Sequence, residues 1–140
     1  MHFIRAATLL DSKSIQAIFF EANSYAQWLP PESRLKVDFA TASEGETLFV
    51  CCNCENEVLG FVSVYEPDAF IHHLYVARHC QRQGIGAALL KSLEAHVIKP
   101  WHLKCAARNE MAMRFYLSQG WIEEDRAEGP EGSYVLLKKF

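Results

Sequence analysis

No window of this sequence approaches the ~20 apolar residues of a bilayer-spanning helix. The opening Met1-His2-Phe3-Ile4-Arg5 also lacks the basic stretch and apolar run of a secretory leader. A soluble, cytoplasmic protein with no membrane partner is the expectation. Strong charge is missing too: 14 Lys and Arg face 17 Asp and Glu, for a formal net charge of -3. No field of that size draws a chain to nucleic acid or anionic lipid. Lys138-Lys139 is too short a run to serve as a nucleic-acid arm. The five cysteines are an odd number, and in an intracellular chain they read as free thiols rather than a disulfide framework. Cys51-Cys52-x-Cys54 has no second pair or histidine cluster at ligand spacing, so no metal site is expected. Repeats, low-complexity tracts and linkers are missing as well.

What is present is apolar bulk. Half of the 140 residues are hydrophobic, enough for one core and hardly for two, so residues 1–140 read as one domain. Residues 3–5 make a short strand, and Asp11-Ser12 can cap a helix with Ile15, Ile18, Phe19 and Ala22 on one face. Tyr25, Trp28, Leu29, Pro30 and Pro31 form an aromatic joint before a second helix through Arg34, Leu35 and Phe39. Residues 47–52 and 58–65 read as an antiparallel hairpin around a polar turn. A strand at 70–76 then leads through Gly84 to a helix carrying Ile85, Leu89, Leu93 and Val97, which Pro100 ends. Another strand at 101–106 precedes a helix capped by Asn109 that carries Ala112, Phe115 and Tyr116 and stops at Gly120. Residues 121–126 and 134–140 close the chain as a hairpin across a turn at 128–132. The strand, helix, strand order implies one parallel crossover.

Gln81-Arg82-Gln83-Gly84-Ile85-Gly86 stands where a strand hands over to a helix. Glycine there lets the backbone approach a ligand, and the first helical amides lack internal partners, so the turn can hold phosphate or simply turn the chain. A dinucleotide site would need glycine where Leu89 stands and an acid about 20 residues on, where only Lys104 is found. A P-loop would need glycine in place of Leu90 before Lys91-Ser92. Neither fits.

Taken with Asn109, Ala112, Phe115, Tyr116, Gly120 and Trp121 downstream, the motif Gln81-x-x-Gly84-x-Gly86 resembles that of the GNAT superfamily of N-acetyltransferases. The resemblance is detailed over residues 58–121 and elsewhere extends only to the order of elements. It implies a mixed α/β (α+β) fold, a mostly antiparallel sheet of about six to seven strands with about four helices. It also implies acetyl-CoA as cosubstrate, entering between the strands that end at Val76 and Ala106. The main chain of Leu74, Tyr75 and Val76 would hold the pantetheine arm. Gln81, Arg82, Gln83, Gly84, Ile85, Gly86 and Ala87 would hold the pyrophosphate, with Asn109 reaching the cofactor. Tyr116 would protonate the departing thiolate, a transfer between groups of pKa about 10 and roughly 8.5.

An amine acceptor must lose a proton before it attacks. Several relatives place a glutamate where Phe70 stands here, which leaves His72 and His73 as candidates for the base, with Glu66 and Asp68 just upstream as further candidates and a water relay to solvent as another route. On a regular strand they point to opposite faces, and the competing reading of each is a partly buried, hydrogen-bonded strand residue. Tyr25, Trp28 and Trp101 can line an acceptor pocket or simply pack. Cys80 and Cys105 have no recognisable base beside them, so direct attack by a primary amine is expected over an acyl-enzyme. The acceptor would be a small molecule or a protein amine, and the protein a monomer or homodimer. The rivals are a non-catalytic module that binds or senses coenzyme A, and a structural protein whose glycines only turn the chain.

Overall fold

The computed structural model describes residues 1–29 and 38–140, so Pro30, Pro31, Arg34 and Leu35 of the expected joint and second helix lie outside the described residues. Among the described residues seven strands form one sheet in the order β1-β2-β3-β4-β5-β7-β6. They are β1 (His2–Ala6), β2 (Thr47–Asn53), β3 (Val58–Tyr65), β4 (Phe70–Val76), β5 (Trp101–Ala106), β6 (Ile122–Gly129) and β7 (Gly132–Lys139). Only β4 and β5 run parallel; every other neighbouring pair is antiparallel. Around the sheet stand α1 (Ser12–Ser24), α2 (Phe39–Ala42), α3 (Ile85–Ser92) and α4 (Glu110–Ser118), so the expected mixed fold is present.

The central strands read as near-continuous apolar runs because both faces are covered. Val50, Cys51, Cys52, Phe61, Val62 and Val64 are all fully buried. Phe61 and Gly60 face opposite sides of β3 by strand alternation. Phe39 of α2 stacks edge-on against Phe61 at 4.9 Å, and Phe19 of α1 meets Phe39 at 4.9 Å, which places α1 and α2 on one face. A Cβ on Gly60 would lie 3.2 Å from Ile85 Cγ2 and 2.9 Å from the Tyr75 carbonyl oxygen, which places α3 on the other face at very close approach. Each large apolar side chain fully buried in this way contributes roughly 1.5–3 kcal/mol.

Three local features differ from the sequence expectation. Asp11 occupies the N-cap position of α1 but makes no side-chain cap there. Its carboxylate is taken by the Arg5 guanidinium in two bonds, 2.8 and 2.9 Å, and by the Thr8 amide at 2.8 Å. The helix after Gly84 stops at Ser92, whose hydroxyl donates back to the Leu89 carbonyl at 2.6 Å, and the chain tightens into a 3-10 turn over Leu93–Ala95. The closing hairpin is tighter than a five-residue turn, because Gly129 pairs with Gly132 and only Pro130 and Glu131 remain in the loop. No described helix is long and apolar enough to cross a membrane.

Candidate active site

The parallel pair at the centre of the sheet is joined only at its start. Phe70 pairs with His102 and Ile71 with Leu103, and no later residue of β4 has a partner on β5. Meanwhile β4 stays paired with β3 as far as Val76, and β5 with β7 as far as Ala106. The two strands therefore part toward their carboxyl ends, where the sequence expects the ligand to enter. The Ala77 amide donates to the Leu59 carbonyl at 2.7 Å, on the β3 side. By alternation the main-chain groups of Tyr75 also turn to β3, and those of Leu74 and Val76 turn to the side that β5 has left. The Gln81 side chain donates to the Val76 carbonyl at 3.5 Å.

Beyond β4 the chain enters a 3-10 turn over Arg78–Cys80, tied to α1 by the Arg78 amide on Glu21 at 2.9 Å and by the Arg78 guanidinium 3.8 Å over the Tyr25 ring. The backbone is left-handed at Arg82 (φ 65°) and again at Gly84 (φ 79°), an alternation that turns successive amides into a concave anion site. The first intrahelical acceptor in use is the Gly84 carbonyl, bonded by Ala88. Among the described residues the amides of Arg82, Gln83, Gly84, Ile85, Gly86 and Ala87 have no acceptor. This row of free donors fits a diphosphate at a helix N-terminus. The two glycines serve different ends. Gly84 supplies the left-handed turn, while a Cβ on Gly86 would meet the Phe115 ring at 3.3 Å, so Gly86 lets α4 pack on α3.

Tyr116 of α4 is buried, with its ring edge-on to Phe115 at 5.3 Å and to Trp121 at 5.7 Å. Its hydroxyl bonds to none of the described residues. Burial pushes the phenol well above its ordinary value, and the nearby Cys105 and Tyr75 push in the same direction. A phenol raised in this way would match the expected transfer to sulfur only if a leaving thiolate were desolvated in the same cleft and raised with it. Burial likewise pushes Tyr75 up to about 12 and the Cys105 thiol to about 11, and it raises Cys80. Neither thiol is then a ready nucleophile at neutral pH. Asn109 caps α4 through its side-chain oxygen, which accepts the Ala112 amide at 3.2 Å. It lines a cavity of about 270 Å³ together with Tyr25, Trp28 and Arg108. Trp101 does not line this cavity: it is buried against Trp121, and its indole N–H donates to the Val97 carbonyl at 3.0 Å.

His72 and His73 depart from strict alternation. Ser63 pairs with His73 and Val64 with Ile71, so His72 is the extra residue of a β-bulge. Both rings thereby reach one carboxylate, that of Glu46 just before β2. His72 Nδ1 lies 2.5 Å from one oxygen and His73 Nδ1 3.5 Å from the other, and the Ser63 hydroxyl donates to the latter. The Glu46 side chain is only 3% exposed. His73 packs edge-on between Phe19 (5.4 Å) and Phe39 (4.9 Å), and burial lowers its pKa against the pull of Glu46. Phe70 stands edge-on to His72 at 4.9 Å, where relatives were expected to place a glutamate. Sequence reasoning missed Glu46, since a lone glutamate ahead of a strand carries no motif.

A sheet that opens beside a parallel crossover, with free amides at the crossover helix, matches the layout that the sequence resemblance implies for an acyl-CoA-dependent N-acyltransferase. The Acetyltransferase (GNAT) family matches residues 13–121, and the chain belongs to that family of acetyl-CoA-dependent N-acetyltransferases. Among curated proteins none matches the chain in sequence. Solved structures do match. The apo form of YjaB from Escherichia coli is 19% identical with a TM-score of 0.82, over 99% of this chain and 97% of that one. The ribosomal-protein-S18-alanine N-acetyltransferase of Escherichia coli is 20% identical with a TM-score of 0.73, over 99% and 93%. An N-acetyltransferase from Staphylococcus aureus is 19% identical with a TM-score of 0.75, over 99% and 97%. At these identities the likeness establishes the fold.

Proposed function

We propose that the protein acts in the cytoplasm as a single-domain N-acetyltransferase that moves an acetyl group from acetyl-CoA to a primary amine by direct attack in a ternary complex. The observation that carries this reading is the parting of β4 from β5 beside the unpartnered amides of 82–87. Pantetheine would extend β4 along the outward main chain of Leu74 and Val76. The pyrophosphate would take the amides from Arg82 to Ala87, with Gln81 holding the turn and Asn109 at the cofactor's edge. Tyr116, whose hydroxyl bonds to none of the described residues, would give its proton to the sulfur as the C–S bond breaks. The raised thiols of Cys80 and Cys105 support direct attack over a covalent acyl-enzyme. His72 and His73 lie on the strand that would carry the thioester and supply the candidates for the base.

The test is release of coenzyme A thiol from acetyl-CoA over a panel of small-molecule amines, polyamines and peptides with free N-termini or lysines. Tyr116→Phe should lower turnover by about 10²-fold or more while changing the acetyl-CoA dissociation constant little. An unchanged rate removes Tyr116 from its role. Undiminished binding with no thiol release over the whole panel leaves a coenzyme A sensor in place of an enzyme.

A further inference from the structure

Glu46 is a carboxylate withdrawn almost completely from water, yet among the described residues no lysine or arginine pairs with it. A buried carboxylate needs donors on its oxygens. Here they are the Ser63 hydroxyl and the His72 imidazole; His73 Nδ1, 3.5 Å from the same carboxylate, is buried with no hydrogen-bond partner among the described residues, so the two imidazoles are unlike. The His73 side chain is 15% exposed, walled by aromatic rings and held toward its neutral form. The His72 side chain is 40% exposed and opens on a cavity of about 640 Å³. Its Nδ1 is engaged by Glu46, and its Nε2 has no partner among the described residues. Tyr65 stacks parallel to the ring at 6.3 Å and Phe70 abuts it, so the imidazole plane is fixed from three sides.

We propose that Glu46 and His72 form a carboxylate–imidazole pair in which His72 is the catalytic base for the acceptor amine and Glu46 its positioning residue. This deepens the transferase reading and rests on it. The Glu46 carboxylate can only accept, so His72 must carry its proton on Nδ1, which leaves Nε2 as a lone-pair acceptor facing the cavity. An acceptor ammonium in the cavity gives its first proton to Nε2, and the imidazolium is stabilised by the Glu46 charge until the proton leaves through the exposed ring edge. The free amine attacks the thioester carbonyl carbon, a C–N bond forms and the C–S bond breaks. Tyr116 protonates the sulfur, and the second proton shed by the attacking nitrogen restores Tyr116. The net products are amide, thiol and one proton released to solvent. Around His72 the charged and titratable groups are Glu44, Glu46, Asp68, Tyr65, His73 and Lys104, three carboxyl groups to one lysine, which suits a cationic acceptor.

Two measurements on the full chain test the pair. The first reads imidazole nitrogen chemical shifts of the labelled protein at pH 8 with acetyl-CoA bound. His72 is expected as the Nδ1–H tautomer, shifting toward Nε2–H in Glu46→Gln; an Nε2–H tautomer in the unaltered protein overturns the pairing. The second reads thiol release with n-butylamine, 1,4-diaminobutane and a lysine-containing tetrapeptide from pH 5.5 to 9. His72→Gln should lose about 10²-fold and Glu46→Gln at least about tenfold in kcat, with acetyl-CoA affinity kept within about twofold. Added imidazole should restore part of the rate in His72→Ala. A rate unchanged in His72→Gln overturns the catalytic role. If the unaltered protein binds acetyl-CoA but releases no thiol with any of these amines, the transferase reading fails. The tautomer measurement, which needs no turnover, still decides the pairing.

Discussion

Single side chains set the pH limits of this fold. Arg5 holds the buried Asp11 carboxyl down at about 2, mainly through their paired hydrogen bonds. An unfolded aspartate titrates near 3.9, so between those values the unfolded chain binds the extra proton. The stabilisation is full above about pH 5, is lost progressively as pH falls through 4 toward 2, and amounts to about 2 kcal/mol at neutrality. Asp11→Asn should therefore lower the urea midpoint markedly at pH 7 and much less at pH 2.5. His73 works in the same direction at higher pH. Burial against Phe19 and Phe39 lowers its folded pKa, the unfolded ring titrates near 6.5, and stability drops as pH falls from 6.5 toward the folded value. Glu46 opposes that drop and the charge of His72 adds to it. His73→Gln should flatten the loss of stability between pH 7 and 5.5, read as urea midpoints, and an unchanged slope would show that His73 titrates as it does in the unfolded chain.

At the level of elements, the pairing of β3 with β4 decides where the site lies. Gly60 sits opposite Val76, and its missing side chain lets the Tyr75 carbonyl and Ile85 close in. In Gly60→Ala the new methyl meets a backbone oxygen at 2.9 Å, which only a movement of β4 or α3 can relieve. The expected cost is about 1–3 kcal/mol in denaturant unfolding, with weaker acetyl-CoA binding because the edge of β4 shifts. Gly86 offers a contrast. An alanine there meets a side-chain ring at 3.3 Å, which a small rotation of Phe115 accommodates, so Gly86→Ala should cost less than Gly60→Ala. These elements also show what the sequence can reveal. Glycine at 84 and asparagine at 109 act through backbone bonds a few residues away, and both were legible. The bulge at His72 was not, because an inserted residue obeys the register of the neighbouring strand rather than its own pattern. Glu46 lies 26 residues from His72, and only the sheet brings them together.

At the scale of the whole sheet, neighbouring strands among the described residues stay paired along most of their length except β4 and β5, and their separation is asymmetric. Each strand keeps its outer partner, β3 or β7, so the cleft is stabilised by the two halves of the sheet rather than by contacts across it. A ligand that supplies the missing ladder would join those halves and be bound by the folded state alone. Acetyl-CoA or free coenzyme A at ~100 times its dissociation constant should then raise the unfolding free energy by about 2.7 kcal/mol. Where that stabilisation appears is the sharper test. Hydrogen exchange should slow for the amides of Leu74 and Val76, which face the opening, and for those from Arg82 to Ala87, which have no acceptor of their own. It should change little for the Ala77 amide, already bonded to Leu59. Protection confined to the turn at 82–87, with none on β4, would mean that the diphosphate is held but the arm lies elsewhere, and the cleft between β4 and β5 would lose its role.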